Sequence, residues 1–339
     1  MDSPLLADPP DPPELPFGID VDTDAPSSFR DKQAVAANDR SMVGLKQSPA
    51  WLRGVNCVAF LVSAAVTVAA SGGGLIAGRS VSAVFDEHET RITPAAWCLW
   101  MWVPVHVLGA TYTVWQAVVR PTPKMARLCR RVDPWYATAN MVTAAWQLTF
   151  IWGTTAGLWV GSALVLLLEA LLLTILYRSL SFLSTRATWF EYVIVDCYFS
   201  LYTGWVTVLT VVNGATALEA TPGWARVDPW TENGWACALL SLAATINLLI
   251  LRRSGDCVFA SVFCWTAASI AFRVEDRDTA ADKSAVSAVA ISLAAVVGAV
   301  AAGEFGVMMA RPCCLRSGRL GPSYISRRSS VNTVAAASR

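Results

Sequence analysis

Between Thr93 and Val119, Trp102, His106, Gly109, Thr113 and Gln116 recur at spacings of three and four. That period puts them on one face of a helix. An imidazole on such a face can donate to a ligand carboxylate, approach a haem iron or titrate near neutral pH. Its plainer role is that of a satisfied donor between helices. Tyr202, Trp205, Leu209 and Asn213 form a second stripe, Asn140 and Gln147 a third, and Asn56, Ser63, Thr67 and Gly74 a fourth. Indoles, amides and hydroxyls suit a mostly apolar, aromatic-walled cavity that orients a flat hydrophobic molecule through a few hydrogen bonds. The same stripes also suit hydrogen bonds from helix to helix. No metal-ligand cluster, triad pattern or phosphate loop accompanies them, so the chain reads as a binding protein and not an enzyme, with no metal and no required cofactor.

Three acids fall inside hydrophobic segments: Glu169, Asp196 and Glu304. An Asp at the centre of a membrane helix costs about 2.5–3.5 kcal/mol on insertion scales, so such residues mark an ion or proton relay by default. Asp196, with Ser200 one turn on, and Glu304 lie close enough to helix ends to reach water. Glu169 lies well inside its segment and is the acid to test. Cys313 and Cys314 beside Arg311 and Arg316 suit lipidation after the last helix.

These residues need membrane helices to position them. Of the 339 residues 55% are hydrophobic and 15% charged, well below the roughly one quarter charged in soluble domains. Several uncharged runs reach the ~20 residues that span a bilayer. The fold class is all-α, a polytopic membrane helix bundle. Eight spans are expected: 54–78, 94–119, a third and fourth inside 134–180 divided at Gly153–Gly157, 192–218, 234–251, 256–272 and 284–310. Pro94 is placed in the first turn of the second span and Pro104 adds a kink. Trp97, Trp100 and Trp102 then sit at an interface that favours amphipathic rings.

An N-in, C-in topology places 20 of the 26 Lys and Arg inside. An odd number of spans would break that alternation. Residues 1–49 read as a disordered acidic, Pro-rich tail and 311–339 as a disordered basic one. Asp2, Leu5 and Leu6 resemble a dileucine sorting signal, and Arg327–Ser330 a basophilic kinase site. The acidic start excludes a transit peptide, so an endomembrane or plasma membrane is expected over a presequence-targeted mitochondrion. Nothing points to nucleic acid. Gly74–Gly78, Gly153–Gly157 and Gly157–Gly161 fit a homodimer or packing within one chain. The scattered cysteines read as small hydrophobes.

"PAAWCLWMW" followed by "VPVH" resembles the start of the second helix of the tryptophan-rich sensory proteins and their TspO/translocator relatives. "YTGWVTVLTVVN" (Tyr202–Asn213) is similar to that family's fifth-helix signature. "ANMVTAAWQLTFIW" falls where its third helix carries Asn and Trp. The resemblance implies a five-helix core over 50–218, with 219–310 adding three further helices. It implies an intrahelical pocket for a porphyrin, haem or sterol-like molecule, lined here by Trp97, Trp102, His106, Asn140, Tyr202, Trp205 and Asn213. Ala96 stands where the family has Gly, and His106 where it has Tyr. The loop Arg79–Thr93, with "DEHE", would cap the mouth or merely connect two helices. The competing function is a secondary or proton-coupled transporter using Glu169 and Asp196. Its partners in either case are lipid and a hydrophobic small molecule.

Overall fold

The computed structural model describes residues 49–71, 75–118, 123–183, 190, 192–223, 229–277 and 284–316. These fall in one compact unit, Gln47–Arg339. Residues 1–48 and 317–339, with the dileucine-like and kinase-like motifs, lie outside the described residues. So does Gly74.

One isolated bridge joins Ile76 to Arg79 in the turn after the first helix, and all the long elements among the described residues are helices. They form α1 (Ala50–Ser71), a short α2 (Val81–Glu87), a 3-10 turn (Ala96–Met101) leading into α3 (Trp102–Val118), α4 (Pro123–Ile151) and α5 (Thr155–Leu183). A π-helical turn (Tyr192–Cys197) opens α6 (Tyr198–Glu219). Then come α7 (Pro229–Ser254), α8 (Cys257–Arg277) and α9 (Ser284–Arg316). Eight long helices thus occupy the eight hydrophobic segments. By length and composition, Ala50–Ser71, Thr155–Leu176, Tyr192–Glu219, Glu232–Ser254 and Ala285–Val307 are able to cross a membrane, and Cys257–Arg273 is apolar but shorter. Large apolar side chains such as Val58, Leu61, Val107, Val114, Leu166 and Val296 are exposed on the helix exteriors. Water would not tolerate that much apolar surface on a helical bundle, whereas lipid does. The protein is an integral membrane protein.

Several boundaries differ from the sequence expectation. Pro94 precedes the 3-10 turn and is not in the first turn of a helix. Pro104 is the third residue of α3, in the first turn of that helix, where proline is tolerated. α4 begins at Pro123 instead of Pro134, so Pro134 lies inside it. α9 continues past Ala310 to Arg316, so the backbone at Cys313 and Cys314 is helical. Their side chains lie outside the description.

The turn between α4 and α5 shows why the "GTTAG" run ends one helix and begins another. Gly153 has φ +64°, the left-handed conformation that glycine adopts freely, and its N–H donates to Phe150 O at 3.0 Å. Thr154 Oγ1 then accepts from Gly157 N at 3.1 Å and caps α5. Added Cβ atoms at Gly157 and Gly161 would meet Thr149 O at 2.9 Å and Phe150 Cδ2 at 3.4 Å. These small residues therefore serve the α4–α5 hairpin.

Two hydrophobic cores form. One joins α1 to α6, and the other joins α7, α8 and α9. α6 is the hub: 67% of its apolar window is buried, against 33% or less for the other four spanning candidates. It meets α8 where Gly204 approaches the backbone. A Cβ there would lie 3.2 Å from both Phe259 O and Val262 Cβ. Gly204→Val is expected to destabilise the bundle by about 1–3 kcal/mol, read as a lowered unfolding midpoint in detergent. An unchanged midpoint would refute the close approach.

Candidate functional site

The stripes anticipated from spacing face inward. Asn56, Ser63, Thr67, Thr113, Gln116, Asn140, Gln147 and Asn213 are all buried. At the centre, the Trp102 ring lies 6.0 Å from Trp146, 6.2 Å from Tyr202 and 6.1 Å from Trp205, measured between centroids. α3, α4 and α6 each contribute to this cluster because their aromatic residues fall on the faces that meet there. Trp205 is fully buried, and its indole N–H has no hydrogen-bond partner among the described residues. Donors left unpaired in a core are uncommon and cost about 1–3 kcal/mol.

The other candidate residues divide by what their polar atoms do. Tyr202 OH is hydrogen-bonded to Thr143 Oγ1. That Thr hydrogen is spent on Ala139 O at 2.8 Å, so Tyr202 donates. Asn213 Oδ1 accepts from Trp146 Nε1 at 2.8 Å, and its amide donates to Leu209 O at 2.8 Å. Asn140 donates to Tyr136 O on its own helix. Asn213 thus links α4 to α6, as Gln147 links α4 to α1 through Thr67 at 2.8 Å.

His106 lies against the Trp102 and Phe60 rings, 5.5 and 6.1 Å away. Its Nδ1 is 2.8 Å from Trp102 O. A carbonyl only accepts, so Nδ1 carries the hydrogen and Nε2 of the neutral ring is a lone pair. Of the three uses of the imidazole, donation to a ligand carboxylate is unavailable to that form.

Trp97 is not brought to this cluster. Its ring meets Trp265 edge-on at 4.8 Å and Phe272 at 6.4 Å, so it faces α8. Trp100 is 70% exposed and looks outward. The entrance that seemed to hold one kind of tryptophan holds three: one in the core, one against a neighbouring helix and one on the surface.

A model of the family described as TSPO-like protein matches residues 51–303. The chain belongs to the TSPO-like family. The match continues through α7 and α8 into α9, so those helices lie inside the region this TSPO-like protein shares with its family. No curated protein and no solved structure matches the chain.

In this TSPO-like protein the segment after α1 is more than a solvated connector. Ser80 caps α2 by accepting from Ala83 N at 3.2 Å. Val84 and Phe85 are buried beneath it, with Phe85 5.0 Å from Phe150. Arg79 pairs with Glu87 and donates to Trp152 O at 3.1 Å. His88 is half-buried, with Nε2 3.2 Å from Gly153 O. Arg273 at the end of α8 reaches Asp86 at 2.7 Å, Glu89 at 2.6 Å and Pro94 O at 3.4 Å. The segment is therefore tied to the α4–α5 turn on one side and to α8 on the other. Arg273→Gln should speed hydrogen exchange of the amides of residues 81–94 by about fivefold, the size of a partly exposed charge cluster. Arg273→Lys should restore part of the protection. Equal exchange in all three proteins would show that the cluster does not hold the segment.

Sequence reasoning missed Asp133, which is buried inside α4 and accepts from Gln116 Nε2. It looked like a loop residue because α4 was expected to start at Pro134. The signal was present: Cys129, Asp133, Tyr136 and Asn140 recur at spacings of four, three and four. Gln116 also donates to Tyr112 OH at 2.6 Å and accepts from Asn56 Nδ2 at 3.4 Å. One amide therefore knits α1, α3 and α4.

Of the intramembrane acids, Glu169 Oε1 accepts from Thr207 Oγ1 at 2.7 Å, while Oε2 is buried with no hydrogen-bond partner. Asp196 is buried in the π-helical turn. Ser200 does not turn to it: Ser200 Oγ donates to Asp256 Oδ2 at 2.6 Å. Asp256 also caps α8 by accepting from Phe259 N at 2.9 Å.

Proposed function

We propose that this TSPO-like protein binds or senses a flat hydrophobic ligand, of porphyrin, haem or sterol-like type, among Trp102, His106, Tyr202 and Trp205. One observation carries the reading: the buried Trp205 N–H has no partner inside a shell of rings. A ligand carbonyl or carboxylate supplies the acceptor it lacks, and the rings supply apolar stacking surface. The rings touch one another in this structure, so the ligand enters by displacing Trp102. The His106 Nε2 lone pair is then positioned to accept from the ligand or to approach a metal it carries. Asn140 and Asn213 hold the walls, and Trp97 braces the entrance from outside. Binding needs no resident cofactor and no catalysis.

The chain crosses the membrane eight times with both termini in the cytoplasm, on the distribution of its basic residues. An endomembrane or plasma membrane is its location, with lipid and the ligand as its partners.

The test is a porphyrin titration of the protein in nanodiscs, read by tryptophan emission. Saturable quenching is expected. Trp205→Phe should raise Kd roughly tenfold, the worth of one hydrogen bond to a charged acceptor. Non-saturable quenching, or equal Kd values, would overturn the reading.

A second reading rests on Glu169, whose Oε2 lacks a partner. A carboxyl held this way within a span suits a proton-coupled carrier. Proton-dependent uptake into vesicles that disappears in Glu169→Gln, with no porphyrin binding, would favour it.

A further inference from the structure

A cavity of about 30 Å³ lies between α6, α7 and α8, lined also by Ile92 from the segment before the 3-10 turn. At roughly 10–15 Å³ per water-sized group, it admits about two such groups. Most of its wall is apolar: Val208, Val211, Leu240, Phe263 and Ile270 among others. Three polar residues interrupt that wall: Thr207, Asn247 and Thr266.

Their hydrogens are engaged. Thr266 Oγ1 donates to Val262 O at 3.0 Å. The single hydroxyl hydrogen of Thr207 lies between Thr203 O at 2.9 Å and Glu169 Oε1 at 2.7 Å. Asn247 Nδ2 donates to Ala243 O at 2.9 Å, which fixes the orientation of the amide, because the reverse would set oxygen against oxygen. That leaves Asn247 Oδ1 without a partner on a residue only 3% exposed. A buried acceptor lacking a donor, in a partly open apolar cavity, specifies what fits there.

We infer that the seam between α6, α7 and α8 is a second binding site, for an apolar molecule bearing a hydroxyl group that donates to Asn247 Oδ1. A ketone, ether or carboxylate offers no hydrogen to that oxygen. A charged amine carries its donor at too high a desolvation cost for so apolar a wall. The site exists only because α7 and α8 pack on α6. It is separate from the Trp102 cluster, so its occupancy is independent of the porphyrin reading.

The experiment uses the full chain in nanodiscs with a diazirine-bearing long-chain alcohol. Labelled peptides are mapped by mass spectrometry. Saturable labelling of α7 and α8 peptides is expected, falling about tenfold in Asn247→Leu and about tenfold when the probe is replaced by its methyl ether. Ala243→Phe, which fills the cavity, should abolish labelling while porphyrin quenching persists. Equal labelling by alcohol and ether in the wild-type chain would overturn the site, as would labelling unaffected by Asn247→Leu in a protein of unchanged unfolding midpoint. Should Asn247→Leu fail to fold, the alcohol and ether comparison in wild type decides alone. Loss of porphyrin quenching with labelling intact would sink only the first site.

Discussion

Trp102→Ala is expected to abolish saturable porphyrin quenching and to destabilise the protein by about 3–5 kcal/mol, the range for truncating a large buried aromatic residue. The magnitude follows from its position. Its ring touches His106, Trp146, Tyr202 and Trp205, and it is 6% exposed. Removing it leaves a hollow bounded by four other rings, with nothing of the right shape to collapse into it. Thermal unfolding in detergent reads the stability, and the nanodisc titration reads the binding. Trp102→Phe should recover much of the stability. A midpoint shift as small as that of a surface substitution would mean that the ring cluster is not the keystone of the first core.

The second large effect concerns Gln116→Leu. This change removes the donor to the Asp133 carboxylate and to Tyr112 OH, and the acceptor for Asn56, inside a region closed to water. Each polar group left unmatched there costs about 1–3 kcal/mol, more where it is charged. The double variant Gln116→Leu/Asp133→Leu removes the Asp133 carboxylate along with the amide that donates to it. It should unfold at a higher temperature than Gln116→Leu alone, because apolar replacement of both members of a buried pair is often close to neutral. Additive losses in the double variant would show that Gln116 and Asp133 are not coupled.

The membrane-helix architecture could be read from the sequence because lipid imposes simple constraints. Long uncharged runs, a glycine at the left-handed turn position and polar stripes at helical spacing each follow from one local requirement. The stripe Tyr202–Trp205–Leu209–Asn213 was buried as its period demands. Other features needed three-dimensional packing. No local signal separates Trp97 from Trp102: the 3-10 turn between them changes the rotation per residue, and only α8 supplies the surface on which Trp97 rests. Asp133 stayed hidden because the charged residues upstream of Pro134 looked like a loop, whereas α4 begins at Pro123 and runs through them. The segment 79–93 was ambiguous for a different reason. Asp86 and Glu89 find their counter-ion at Arg273, nearly two hundred positions away in sequence, a separation that periodicity does not register.

The junction beside the entrance has one more consequence. The main-chain N–H of Ala95 donates to Ser269 O at 3.2 Å, and Trp265 Nε1 reaches Cys98 O at 3.4 Å. Neither contact survives a slide of α8 along the 3-10 turn by about 2.7 Å, half the pitch of an α-helix. A ligand of the proposed kind that displaces Trp102 would therefore change the resting position of α8 if the two move together. Thermodynamic reciprocity would then require that a neighbouring protein which shifts α8 alter the affinity of the proposed pocket by the same factor.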